Sequence, residues 1–219
     1  MSFERLAPHY TWMERVLAGS RLQRARITWL EQLADCRRVL IAGVGHGHFL
    51  RALVRRFPRC EVVSVDASAG MLQRARRSVG GNSRVQFVHA ALPEWQPPSQ
   101  AFDCLVTHFF LDCFSPAELP VIVGGLAQAA RPRATWLVTD FAIPSRGWKR
   151  RRARAIEAAM YAFFGPVAGI GARTLTPPDD LLLGHGFRLS ARQQYEWGLL
   201  QADLWTRDAP AAQTVGILP

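Results

Sequence analysis

The sequence predicts an α/β fold, a mostly parallel sheet with helices on both faces and an antiparallel strand at its end. Three observations predict it. Short apolar runs of strand length recur between stretches with helical periodicity, which is the alternation of a wound α/β sheet. Three glycines at alternate positions, Gly43, Gly45 and Gly47, join the first such run to the first core helix. The chain closes through a hairpin, Tyr195-Glu-Trp-Gly198, rather than through another helix.

The elements follow in order. Residues 1–36 read as helix: Trp12, Val16 and Leu17 share a face, and Leu22, Ile27, Leu30 and Leu33 continue it after Gly19-Ser20. Val39 to Ala42 is a buried parallel strand, and Phe49, Leu50, Leu53 and Val54 mark the helix after the glycines. A second strand, Val62 to Val65, ends in Asp66, and Ser68 is placed to cap the next helix, which carries Met71, Leu72 and Ala75. Gly80-Gly-Asn-Ser83 turns into a third strand, Arg84 to His89. After the loop Trp95 to Gln100, Phe102 to Thr107 forms a fourth strand. Ser115-Pro-Ala-Glu118 is a capping box with proline at the first helical position, opening a helix that ends near Ala130. Arg131-Pro-Arg133 is expected to turn into the fifth strand, Thr135 to Asp140. A helical insertion over 144–175 comes next, then a short helix from Thr176 to Gly184 and a sixth strand opened by Gly186-Phe187. Leu199 to Thr206 returns antiparallel, and residues 208–219 are expected to form a flexible tail on a single domain spanning 1–207.

Strand, glycine turn and helix in that order bring backbone N–H groups and a helix N-terminus beside a ligand. Asp66 lies nineteen residues beyond Gly47, where a carboxylate suits the paired hydroxyls of a ribose. The glycine spacing is not the dinucleotide pattern G-x-G-x-x-G. The third glycine comes one residue early, and His48 stands in the last glycine's place.

The stretch Val39-Leu-Ile-Ala-Gly-Val-Gly-His-Gly47 resembles motif I of the class I S-adenosylmethionine-dependent methyltransferases, G-x-G-x-G after a strand, and Asp66 matches that family's second motif. Phe3-Glu-Arg-Leu-Ala-Pro-His-Tyr10 resembles the N-terminal segment of the ubiquinone/menaquinone-biosynthesis type, and Asp66-Ala-Ser-Ala-Gly-Met-Leu72 resembles its "D-x-S-x-x-M-L" run. The resemblance spans nearly the whole chain. It implies a Rossmann-like seven-stranded sheet, methyl transfer from S-adenosylmethionine, and S-adenosylhomocysteine as product. It further implies that Gly43, Gly45, Gly47, Asp66, Ala67, Met71, Ala90, Ala91 and His108 surround the cofactor. Tyr10 is by resemblance a lid residue on a helical segment over 1–36; the alternative is a tyrosine packing that helix on the sheet. Two positions depart from the family pattern. Ala90 stands where a carboxylate accepts from the adenine amino group, and Ile41 replaces an acidic residue late in the first strand.

Two residues just past the fourth strand, His108 and Asp112, are candidate general bases. An unperturbed histidine titrates near neutrality and suits proton removal from a phenol or hydroxyl. The alternative for His108 is a hydrogen bond to cofactor or backbone. Asp140, ending the fifth strand, is a further candidate polar group of the cleft. His46 and His48 form an H-x-H without visible further ligands, so no metal site is expected.

The formal charge of +10 favours acidic partners, although arginine excess spread along the chain explains it equally well. Thr107-His-Phe-Phe110 lacks the "[DN]-P-P-[YF]" of amino-methylating nucleic-acid enzymes, and no Pro-Cys occurs. A small apolar, aromatic or lipid-like acceptor is therefore expected, with tRNA or rRNA methylation and a non-catalytic cofactor-binding protein as alternatives. The basic helix expected over 148–164, with Ile156, Met160, Phe163 and Phe164 behind its arginines, suits contact with an anionic membrane surface. Cys36, Cys60, Cys104 and Cys113 form no C-x-x-C pair and read as reduced thiols. No apolar run follows Met-Ser-Phe-Glu-Arg5, so a cytoplasmic location is expected.

Overall fold

The computed structural model describes residues 19–144, 146–155 and 175–208. Seven strands form one sheet in the order β3-β2-β1-β4-β5-β7-β6. They are β1 (Arg38–Ala42), β2 (Glu61–Asp66), β3 (Val85–His89), β4 (Phe102–His108), β5 (Ala130–Phe141), β6 (Phe187–Tyr195) and β7 (Leu200–Arg207). The first five run parallel, and β7 is antiparallel to both β5 and β6. The helices are α1 (Gly19–Ile27), α2 (His48–Arg56), α3 (Ala69–Ser78), α4 (Leu119–Ala129) and α5 (Asp179–Gly184), with a further helical stretch over 147–155.

Strand alternation divides the core. Leu40, Val63, Leu105, Trp136, Val138 and Trp205 face α4 and α5. Val39, Ile41, Val62, Val106, Leu137 and Leu204 face α2 and α3. Both faces are covered, so the parallel strands are apolar throughout. The strand order reverses between β1 and β4, and the crevice beyond their C-terminal ends is where such sheets bind ligands.

Several expectations need correction. The helix expected through residue 36 ends at Ile27 and is followed by a 3₁₀ turn, Leu30–Leu33. Leu22, Leu30 and Leu33 are buried, but Ile27 is exposed at the helix end. Arg131-Pro-Arg133 lies within β5, which starts at Ala130; the surplus residues form an irregularity opposite Phe102 and Cys104, with Arg133 at φ 64°. The capping box forms, since the Ser115 amide and hydroxyl donate to Glu118 Oε2 (3.0 and 2.7 Å) and the Glu118 amide donates to Ser115 Oγ (3.4 Å). The regular helix nevertheless begins only at Leu119, so Pro120 rather than Pro116 occupies its first turn. Ser68 caps α3 as expected, its hydroxyl accepting from the Met71 amide.

Candidate cofactor cavity and acceptor cleft

The three glycines after β1 are all at positive φ, yet they serve different neighbours. At Gly45 an added Cβ would meet nothing within 4 Å; this glycine lines open cavity and leaves the backbone bare for a ligand. At Gly43 a Cβ would stand 2.5 Å from Phe110 Cδ2. At Gly47 it would stand 2.7 Å from the Ala75 Cα, so this glycine seats α2 against α3 and does not line the cavity.

Asp66 stands opposite the glycine turn. Its Oδ2 accepts from the Gly45 amide (3.2 Å) and its Oδ1 from the Ser68 amide (2.9 Å). Each oxygen keeps acceptor capacity after that one bond. Burial raises the carboxyl above its ordinary range, against the pull of these amides. The Ala90 amide donates to the Asp66 carbonyl (3.2 Å), which ties the end of β3 to the end of β2. Gly43, Gly45, Asp66, Ala67 and Met71 line the same cavity as Ala90, Ala91 and His108. Tyr10 lies outside the described residues. The residues present fit a nucleoside: an open backbone cradle at Gly45, a carboxylate with free lone pairs, and an apolar slot at Met71, Ala90 and Leu92. Ala90 leaves that slot without the expected carboxylate.

His108, the last residue of β4, is buried with Phe49 edge-on at 4.6 Å. Burial first, and the charge of Arg26 second, push its imidazole down to about 3. The ring is therefore neutral at physiological pH and a poor proton acceptor, which corrects the expectation of titration near neutrality. Its Nε2 is buried without a hydrogen-bond partner.

Asp112 does not share that cavity. The 3₁₀ turn Leu111–Cys113 carries Cys113 to the cofactor side and Asp112 to a neighbouring cleft on the α5 side of the sheet. Burial pushes Asp112 up to about 6. Asp140 lines the same cleft; its Oδ1 accepts from the Phe110 amide (3.0 Å), and burial together with the Asp112 charge raises it well above the carboxylate range. Phe109, at φ 53°, packs on Phe141 with ring centroids 5.2 Å apart; the first ring lines the cavity and the second the cleft. A bulky residue in the left-handed region is a strained feature, here between two binding spaces.

Sequence reasoning missed the aromatic wall of Phe109, Phe110 and Phe114, whose signal is the dense aromatic run after β4. It also missed Asp203 and Arg192, which no local pattern connects. In the 147–155 stretch, Trp148 is exposed and lies 6.0 Å from the exposed Trp197, and the Arg152 guanidinium stands over Trp197 at 4.8 Å. Ile156, Met160, Phe163 and Phe164 lie outside the described residues. No helix among the described residues is long and apolar enough to cross a membrane.

Residues 39–133 match the family described as "Methyltransferase domain". A trans-aconitate 2-methyltransferase of Rhodopseudomonas palustris is 42% identical over 66 residues, 30% of this chain and 25% of that protein. A ubiquinone/menaquinone biosynthesis C-methyltransferase of Syntrophotalea carbinolica is 25% identical over 182 residues, 82% of this chain and 76% of that protein. The solved mitomycin 7-O-methyltransferase MmcR superposes with a TM-score of 0.68 at 17% identity, covering 94% of this chain and 61% of that one. The chain thus matches a quarter of the first relative's length and under two thirds of the MmcR chain. The names of the three differ in acceptor, and the likeness to MmcR is one of fold. Residues 39–133 thus read as a methyltransferase domain, on a fold shared with solved methyltransferases.

Proposed function

We propose that this protein transfers a methyl group from S-adenosylmethionine to a small acceptor with apolar or aromatic character. One observation carries the reading: the open approach at Gly45 faces a carboxylate, Asp66, that is already oriented by two backbone amides. When bound, the cofactor supplies an electrophilic sulfonium methyl group. Asp66 accepts from the ribose hydroxyls, and Met71, Ala90, Ala91 and Leu92 enclose the base. His108, held neutral, offers Nε2 as an acceptor inside the cavity. Asp112, pushed up to about 6, is the better-matched proton acceptor on the acceptor side near neutral pH. The Phe109–Phe141 pair excludes water between the two spaces.

The acidic lining beyond β5 disfavours a polyanionic RNA acceptor. A second feature supports peripheral contact with an anionic lipid surface. Trp148 and Trp197 are exposed beside Lys149, Arg151 and Arg154, which combines interfacial aromatics with basic charge. Co-sedimentation with phosphatidylglycerol vesicles, lost at high salt and in Trp148→Ala/Trp197→Ala, is the expected result; equal binding to neutral vesicles contradicts that reading.

The cofactor assignment is tested by thermal unfolding with S-adenosylmethionine, S-adenosylhomocysteine and NAD. A ligand at a hundred times its Kd stabilises by about 2.7 kcal/mol. A shift with the first two alone is expected. No shift with either overturns the assignment, and a cofactor shift without turnover on any acceptor points to a non-catalytic binding protein.

A further inference from the structure

The cleft that Asp112 enters has an unusual balance of charge for so basic a chain. Among the described residues, Asp112, Asp140, Asp179 and Asp203 line it together with one cation, Arg192. Arg192 is committed. Its Nε and Nη2 each donate to one Asp203 oxygen (both 2.8 Å), and Nη2 also donates to Asp179 Oδ1 (2.6 Å). Gln201 donates a further bond to Asp203 (3.0 Å). Asp112 and Asp140 receive no basic side chain among the described contacts. The rest of the wall is apolar, with Val138, Phe141, Pro144, Pro177 and Pro178.

A second observation separates this cleft from a mere cluster of acids. Asp140 is 8% exposed, and its Oδ2 has no hydrogen-bond partner among the described residues. A buried carboxylate oxygen without a donor is costly unless something supplies one. The other oxygen accepts from the Phe110 amide, which fixes the side chain in the cleft wall; a cation there would favour the ionised carboxylate that burial and Asp112 now disfavour. A ligand bearing N–H donors and positive charge completes it; an anion does the opposite.

Resting on the methyltransferase reading above, we propose that this cleft is the acceptor subsite and that it takes an apolar amine, bound as its ammonium ion between Asp140 and Asp112. The apolar walls hold the hydrocarbon part. The location agrees with that use, because a single 3₁₀ turn presents Cys113 to the cofactor cavity and Asp112 to the cleft. A tricarboxylate such as trans-aconitate is disfavoured by the same carboxylates.

The test is a binding titration on the full chain, followed by saturation-transfer NMR, with S-adenosylhomocysteine present and absent. The probes are phenethylamine, tryptamine and hexylamine, with 2-phenylethanol as neutral isostere and trans-aconitate as anion. Phenethylamine is expected to bind about tenfold more tightly than 2-phenylethanol, the ordinary difference for a charge-assisted bond. Asp140→Asn and Asp112→Asn are each expected to reduce that ratio toward one while S-adenosylhomocysteine affinity stays unchanged. Equal binding of amine and alcohol, preference for the anion, no binding by any amine, or an amine preference that survives both substitutions overturns the proposal. The wild-type comparison of isosteres needs no variant to fold. Loss of nucleotide binding with amine preference intact defeats the cofactor reading alone; the reverse defeats only the amine.

Discussion

The cofactor cavity and the acidic cleft lie on opposite sides of one aromatic pair, and they are made differently. The cavity is assembled from the loops that follow β1, β2, β3 and β4, each a short contiguous stretch. Its specificity rests on backbone, through the Gly45 amide and the Ser68 amide, with one carboxylate between them. The cleft is assembled from β5, β6, β7 and the 175–179 segment, and its specificity rests on side chains brought together by antiparallel pairing. Arg192 lies opposite Asp203 across the β6–β7 ladder, and Asp140 opposite Gln201 across β5–β7. On the proposed reading, the cofactor is held largely by backbone groups and the acceptor by side chains.

The largest expected effect tests whether the cleft is also a structural joint. Asp203 is 2% exposed and depends on Arg192 for two of its three bonds. Arg192→Ala leaves a buried carboxylate with only Gln201, a change that costs about 3 kcal/mol. The Tm should fall by roughly 6–12 °C, with S-adenosylmethionine affinity per folded molecule unchanged. Loss of cofactor binding with an intact Tm would break the separation of the two regions.

The converse change belongs to the cavity. Asp66→Asn removes the carboxylate that two amides orient and a ribose would use. Isothermal titration should show S-adenosylmethionine affinity down about 30-fold, near 2 kcal/mol for bonds to a charged group. One of the two amides then faces an NH2 group, so about 1 kcal/mol of stability should be lost, partly offset by removal of a charge that burial disfavours.

Within the glycine turn the comparison sharpens to two residues. Gly47→Ala puts a Cβ 2.7 Å from the Ala75 backbone at φ 77°. It should cost about 2 kcal/mol of stability through helix displacement. Gly45→Ala meets no atom but sits at φ 52°, so about 1 kcal/mol of strain is expected, with the larger loss in cofactor affinity. Tm and affinity should therefore rank the two variants in opposite order.

These contrasts also explain what the sequence revealed. The strands, the Ser68 cap, the Ser115–Glu118 box and the Asp66 position were legible because each depends on neighbours a few residues away. Gly47's role was not, since motif spacing does not separate a glycine facing a ligand from one facing a helix. The residue type of His108 suggests titration near neutrality only if unperturbed; tertiary burial beside Phe49 and Arg26 moves it to about 3. The Arg192–Asp203–Asp179 cluster joins positions 11 to 24 residues apart through the β6–β7 ladder and α5, with no motif to announce it. The start of β5 was misplaced because Pro132 and the left-handed Arg133 look like a turn, and here they form a bulge.

The smallest expected effect is one of pH, and it separates the regions without touching the cofactor. Asp112 is raised to about 6 by burial, from an ordinary value near 3.8. A carboxyl raised on folding lends stability that is complete below pH 3.8 and is lost as pH rises through 6. Asparagine at this position has no such loss. Asp112→Asn should therefore match wild type near pH 4 and exceed it at pH 8; discounting the shift for the partial exposure of Asp112 leaves roughly 1 kcal/mol, a few degrees in Tm. Asp66 and Asp140 are raised as well, while Asp103 and Glu118 are lowered, so wild-type Tm alone mixes opposing slopes. The difference between variant and wild type across pH 4–8 removes those shared contributions. His108, neutral in the fold above about pH 3 but charged in the unfolded chain up to its ordinary 6.5, makes stability rise with pH between those values, and that contribution cancels in the same difference. A difference that grows toward acid instead would mean Asp112 is held as an anion by a cation, and the cleft would then have no unmet charge to offer an amine.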